Sequence, residues 1–375
     1  MSKRFTFIAT SLSIAAAVGA ALAAQTPHIG NARLTTQAAA TPLAQSFRAL
    51  VAAQTDVAWL GYMVPVVDGD RRMCCADSGS TFISGSIVMV DSAHCCVACR
   101  LEPSTSSRTG SASASPSPPP GPIQLEGSGQ MVVLFRVVER QVERVRVFSA
   151  ECELDAGGRP VIWLEGVRPP DSIALLESLL PENSGRRDRI TTDAVAAIAM
   201  HRDPAADAAL DRLIATNKPE SLRKHVTFWL GNARGARGLS VLSRILQNDP
   251  SMAVQKGAVF GVSQSEAPGA SDTLLNAARN NPSAAVRGEA IFWLGQKAGA
   301  KAAATISDSI DKDPETEVKK KAVFALSQLP KDEGVPLLIK VARTNRNLEV
   351  RKQAMFWLAQ SKDPRAIDFF AEILK

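Results

Sequence analysis

Aromatic residues make up only 5% of this 375-residue chain, and tyrosine occurs once. Proteins that hold single-stranded nucleic acid stack its bases on aromatic platforms, so this scarcity argues against that role. Histidine is scarcer still. His28, His94, His201 and His225 are scattered, and none opens an H-E-x-x-H zinc motif. There is no G-x-S-x-G nucleophile signature and no phosphate-binding glycine loop. Charge of one sign is not in excess. The formal net charge of +6 is mildly basic and describes a solvated cationic surface more readily than a polyanion site. Beyond the first two dozen residues, no apolar run approaches the length of a membrane span.

The start of the chain does hold an apolar run. Lys3 and Arg4 precede FTFIATSLSIAAAVGAALA, and Ala21-Leu22-Ala23 follows the small-residue rule for signal cleavage. Residues 1–24 therefore read as an export signal, which leaves a periplasmic or extracellular protein with no stable membrane span. Export places the six cysteines in an oxidising compartment, where disulfides are expected.

Residues 25–168 read as one small α+β domain. A strand is expected over Asn31–Gln37, an amphipathic helix over Pro42–Ala53 and a buried strand over Val57–Val67. A cysteine-rich patch follows. Cys74 and Cys75 are expected to bond to the Cys95, Cys96 and Cys99 group, with Cys152 taking the remaining member; adjacent cysteines are poorly placed to bond each other. The competing reading is a metal or redox site built on His94, Cys95, Cys96 and Cys99, because Cys96-Val97-Ala98-Cys99 has the gap that such sites use. Residues 103–122, rich in Ser, Pro and Gly, lack the apolar content of a core and read as a disordered insertion. Gln130–Val138, Val142–Leu154 and Pro160–Gly166 suggest a three-stranded meander with a turn at Asp155–Gly158. The alternation of Val145 and Val147 with Arg144 and Arg146 suggests one buried face. Residues 169–189 hold a short capping helix and a linker.

From 190 to 375 the chain repeats itself. Phe228, Phe260, Phe292, Phe324 and Phe356 keep one spacing of thirty-two residues, each inside a helical unit such as VRGEAIFWLGQ at Val286–Gln296. An earlier, degenerate copy has Ala196 at the Phe position, which makes about six copies. Each copy is a helix, a short turn and a second helix with one apolar stripe. Asp249, Asn281, Asp313 and Asn345 close the second helices at the same spacing. Neither helix can bury its stripe alone, so the expected fold is an α-solenoid in which each hairpin leans on its neighbours. On a helical wheel Val286, Ala290, Trp293 and Leu294 form the core stripe, with Phe292 at its edge. Trp229, Trp293 and Trp357 alternate with Gly261 and Ala325, large against small, as interlocking neighbours require. Arg223, Arg287, Lys319 and Arg351 hold one position. Lys224, Lys256, Lys320 and Lys352 hold the next, and together they form a basic ladder expected to bond the carbonyl ends and the Asp/Asn row of the preceding copy, with an anionic partner as the alternative use. Asn232, Gln264, Gln296, Gln328 and Gln360 make an amide row with the same two readings.

Val286-Arg287, Ala290, Leu294-Gly295 and the Asp313-Pro314 stop before Val318-Lys319 resemble the short HEAT-like repeats of the phycobilisome-lyase type. The export signal with WLGYMVP and the cysteine pair resembles bacterial envelope HEAT-repeat proteins. The resemblance implies that the second helices line a concave surface that binds a partner protein, with Arg244, Asp308, Lys340, Arg343, Asp368 and Glu372 exposed on it. Deoxyhypusine hydroxylases in the wider family carry iron on His-Glu pairs, but no histidine here precedes Glu. No cofactor and no nucleic-acid partner are implied. The resulting expectation is a non-enzymatic scaffold. An envelope redox or metal sensor using Cys95, Cys96 and Cys99, or a repeat-type lyase, is the alternative.

Overall fold

The computed structural model describes residues 28–68, 99–102, 129–180, 189–297 and 300–374. The expected export segment, a strand that the sequence suggests over Thr81–Val90, Cys74, Cys75, His94, Cys95, Cys96 and the 103–122 insertion lie outside these residues, as does most of the linker.

A five-stranded sheet comes first. It is built from β2 (Arg33–Ala38), β3 (Ala58–Pro65), β5 (Gln130–Val138), β6 (Gln141–Ser149) and β8 (Pro160–Glu165), in the order β2-β8-β3-β5-β6. β3, β5 and β6 are antiparallel, while β8 runs parallel to both β2 and β3. The expected meander is therefore incorrect in its last strand. The chain leaves β6, passes through β7 (Leu154–Asp155) and returns as β8 beside β3, filling an edge that would otherwise be open. β7 sits between β1 (Ile29–Gly30) and β4 (Cys99–Arg100) in a second, all-parallel sheet of two-residue strands. Gly157 and Gly158 turn the chain just after β7 with positive φ, a conformation that glycine adopts without steric cost.

Both faces of the large sheet are covered, where the alternation in β6 suggested one. Val145 points into the main core; Phe148, on the opposite face, joins Trp59, Trp163, Cys99 and Cys152 in a smaller cluster. Arg146 is buried on that second side. Its guanidinium lies over the Phe148 ring and donates to the Arg100 carbonyl at 2.9 Å, so the charged head is satisfied there. On the main side the sheet meets α1 (Leu43–Ala52), α2 (Pro169–Ser178) and α3 (Arg189–Met200).

Six helical hairpins follow. Their first helices are α3, α5 (Glu220–Ala233), α7 (Met252–Gln264), α9 (Ala284–Lys297), α11 (Thr316–Ser327) and α13 (Leu348–Ser361). Their second helices are α4 (Pro204–Leu213), α6 (Gly235–Asn248), α8 (Ala270–Asn280), α10 (Ala300–Lys312), α12 (Lys331–Thr344) and α14 (Pro364–Ile373). Asp249, Asn281, Asp313 and Asn345 each accept the backbone N–H two residues on, at 2.9–3.0 Å, which ends one hairpin and aims the next.

The two helical layers differ in spacing. Neighbouring first helices lie along one another, while neighbouring second helices meet at few points. A groove of about 450 Å³ opens between α6 and α8. The first-helix layer is thus the more closely packed of the two. Small residues permit the close approach. A Cβ on Gly231 would sit 1.9 Å from the Gly261 carbonyl oxygen, and one on Gly295 would sit 2.9 Å from the Ala325 Cβ.

The sheet and the array share one continuous core. At their junction the Tyr62 hydroxyl donates to Ser172 Oγ at 2.7 Å, and Ser172 donates to His201 Nε2 at 2.8 Å. His201 Nδ1–H donates to the Ala197 carbonyl at 2.7 Å, which fixes Nε2 as the acceptor. All three side chains are fully buried. Burial pushes the His201 imidazole down to about 4.

Two outcomes follow from these contacts. Gly→Ala in a helix interior ordinarily stabilises by about 1 kcal/mol. Gly231→Ala is expected to do the reverse, lowering the urea-unfolding free energy by about 1–3 kcal/mol through overpacking. His201 is held neutral in the fold, so its contribution is complete above its unfolded pKa and is lost as pH falls. Stability is expected to drop by about 3 kcal/mol between about pH 6.5 and pH 4 at about 1.4 kcal/mol per unit. The same titration of His201→Gln should lack that component.

Candidate functional site

The first-helix face is the surface with a repeated chemical pattern. Residues four apart on a helix share a face, and each first helix from α5 onward carries one column of that kind. The columns are Lys224-Phe228-Asn232, Lys256-Phe260-Gln264, Gly288-Phe292-Gln296, Lys320-Phe324-Gln328 and Lys352-Phe356-Gln360. Stacked side by side, they make three rows: lysine, phenylalanine and amide.

The aromatic row is continuous. Phe228 stacks on Phe260 with centroids 5.6 Å apart, and Phe292 on Phe324 at 5.9 Å with an interplanar angle of 5°. Between these pairs a tryptophan from the next hairpin intervenes. Trp293 lies 4.8 Å from Phe260, and Trp357 lies 4.9 Å from Phe324. Each Trp also packs edge-on against its own neighbour, Phe292 or Phe356. The Trp/small alternation in the sequence is thus a two-hairpin unit. Small residues and stacked rings close the pairs α5–α7 and α9–α11; a Trp wedge spaces α7 from α9 and α11 from α13. The inner rings keep partly exposed edges while their faces are taken, and Phe356 is 52% exposed. Val286, Ala290 and Leu294 are buried as expected, but Trp293 is only partly so, since its ring serves as the wedge.

The next position on these helices turns away from the face. Arg287 makes a two-pronged pair with Asp313 at 2.7 and 2.9 Å and donates to the Asn281 and Pro282 carbonyls at 3.0 and 3.2 Å. Arg223 pairs with Asp249 and donates to the Ile214 carbonyl at 3.0 Å. Lys319 and Arg351 donate to carbonyls at the preceding hairpin's end. The carbonyl half of the expectation is observed. The carboxylate partner, however, closes the arginine's own hairpin rather than the preceding one. The alternate hairpin carries Gln255 and Asn281 in place of Arg and Asp, and each donates to a carbonyl of the preceding hairpin, Asp249 and Leu246 respectively. The two-hairpin period recurs here.

The six residues expected to face a partner stand on the widely spaced second-helix layer. Arg343 is committed to Glu372 at 2.9 Å, and Asp308 to Lys312 at 3.0 Å. Arg244, Lys340 and Asp368 are exposed there. They are distributed over α6, α10, α12 and α14 and do not converge on one place.

Ser172 and His201 form a serine–histidine contact that sequence spacing did not reveal. It lacks the features of a nucleophilic site, because Nδ1 meets a carbonyl rather than a carboxylate and no atom of the pair reaches solvent. Among the described residues no cluster of three or more His, Cys, Asp or Glu side chains could hold a metal ion, and no helix is long and apolar enough to cross a membrane. Cys99 and Cys152 are both buried in the small cluster. The remaining cysteines, on which the sensor reading rests, lie outside the described residues.

The family model for HEAT repeats matches residues 271–355 and 303–375. Residues 271–375 of the array are similar to HEAT repeats. No curated protein matches the chain. Solved structures with similar architecture include human deoxyhypusine hydroxylase in complex with glycerol, at 17% identity and a TM-score of 0.24 over 54% of this chain and 78% of that one. The Escherichia coli protein YibA is similar at 21% identity and a TM-score of 0.33, over 52% and 71%. The complex of CpcE and CpcF of phycocyanin lyase from Nostoc sp. PCC7120 is similar at 20% and 0.28, over 55% and 81%. Likeness at this level carries no argument about activity.

The HEAT array's neutral and charged links can be exchanged experimentally. Arg287→Gln leaves the buried Asp313 carboxylate unpaired and is expected to cost about 3–5 kcal/mol in urea unfolding. Adding Asp313→Asn removes the unpaired charge, giving the Gln and Asn combination of the preceding repeat, and should recover at least half of that loss.

Proposed function

We propose that this chain is a non-enzymatic scaffold that engages another protein through the first-helix face of its HEAT array. The observation that carries this reading is the unbroken row of partly exposed rings flanked on both sides by polar rows. Such a surface offers apolar contact in its centre and hydrogen bonding at its margins, the pattern of protein interfaces. The second-helix layer offers mixed, self-paired charges and a polar groove. The sheet covers the array's first hairpin and so fixes where the face begins. The reading includes export, on the strength of the Lys3-Arg4 start and the Ala21-Leu22-Ala23 site, and disulfide bonding among Cys74, Cys75, Cys95, Cys96, Cys99 and Cys152 in that compartment.

The test is site-specific photo-crosslinking in the native cell. A photoreactive residue replaces Gln296 or Gln360 on the first-helix face, or Arg244 or Lys340 on the second-helix layer. The expected outcome is one shared protein adduct from Gln296 and Gln360 and none from the other two. Adducts from Arg244 and Lys340 alone would return the interface to the second helices. The absence of adducts at all four would remove the scaffold reading.

A further inference from the structure

The lysine row has a gap at Gly288 that the fold fills. A Cβ on Gly288 would lie 2.7 Å from Cδ of Lys321 and 3.3 Å from its Nζ, so the side chain of Lys321, from the next hairpin, lies across that position. The row of cations therefore runs unbroken along the face. Its members are not equivalent. Lys320 is paired with Glu317 at 3.0 Å and Lys352 with Glu349 at 3.1 Å. Lys224, Lys256 and Lys321 have no acidic partner among the described residues. The half of the face nearer the sheet thus carries three lysines outside any ion pair against one carboxylate, Glu289, which accepts from Trp293 Nε1 at 3.1 Å.

The other two rows narrow the kind of anion. Phe260 and Phe324 are each flanked by two rings at 4.8–5.9 Å, so bases have no open platform there, and Phe356 meets Trp357 edge-on. A ring edge carries the positive end of the aromatic quadrupole and suits carboxylate and carbonyl oxygens. On the far side, Gln296 and Gln360 make no side-chain hydrogen bond within the described residues, and Gln264 and Gln328 only lean on the adjacent serine. An amide offers both a donor and an acceptor, which is what a peptide backbone needs.

We propose that this face takes an extended acidic segment of the partner protein, with its carboxylates on Lys224, Lys256 and Lys321 and its backbone along the amide row. The proposal rests on the protein-binding reading and specifies its partner. Helices in contact lie about 8–10 Å apart, which an extended chain in the polyproline II conformation covers in about three residues at about 3.1 Å each, with every third side chain on one side. A carboxylate at every third position matches the lysines.

The probe is a fluorescent peptide of repeated Asp-Val-Thr, read by anisotropy against the full chain at low and moderate salt. Binding that weakens as salt rises is expected. Lys224→Glu, Lys256→Glu and Lys321→Glu together should weaken it at least tenfold, with the fold verified by circular dichroism. Gln296→Ala with Gln360→Ala should weaken it by a few fold. The proposal is overturned if the charge-reversed chain binds equally well, if a Lys-Val-Thr peptide binds as tightly, if neither peptide binds, or if oligothymidine competes better than the acidic peptide. In each of these cases a protein adduct at Gln296 and Gln360 would still leave the scaffold reading standing.

Discussion

The close approach of the first helices is the constraint on which the array depends. Where Gly231 faces Gly261 and Gly295 faces Ala325, no side chain separates the backbones. That proximity tightens one layer, stacks Phe228 on Phe260 and Phe292 on Phe324, and leaves the second helices splayed. The aromatic row follows from it. A chain with a β-branched residue at those positions would space both layers alike and lose the ring stacking.

The same constraint explains why the array works in units of two hairpins. Close contact at every step would leave no room for Trp293 and Trp357, and wide spacing at every step would leave the rings out of contact. Alternation accommodates both. The buried links follow the same rhythm, with Arg223–Asp249 and Arg287–Asp313 separated by the neutral Gln255 and Asn281. Charged pairs that are fully hydrogen-bonded hold the turns in register, and the neutral links between them avoid a continuous buried row of like charge.

The sheet is more than an appendage to this stack. β6 and α3 pack together, and the Tyr62, Ser172 and His201 chain joins β3, α2 and the first inter-helix turn. Arg234 adds to the joint from α5's end, donating to the Ala199 and His201 carbonyls and to Asp207. An array end is the place where a repeat's apolar side lacks a neighbour. Here the sheet supplies that neighbour at the first hairpin, so the Lys-Phe-amide columns begin at the second.

The thirty-two-residue spacing of Phe and of the Asp/Asn stops determined by itself that the C-terminal part is a stack of hairpins, because a repeated apolar stripe has no other way to be buried. The alternation of Trp with Gly and Ala likewise determined that neighbours interlock in pairs. The sequence could not decide how closely each helix layer packs. That depends on two inter-helix spacings, a property of the assembled stack that no single helix encodes. For the same reason the Lys, Phe and amide ladders are legible one by one at thirty-two-residue spacing, while their union into one face, opposite the more open layer that holds Arg244 to Glu372, is a property of the stack. Tertiary structure alone also decided the position of β8, since a strand's partner is set by which sheet edge remains open, and it alone brought Ser172 to His201 and Lys321 over Gly288.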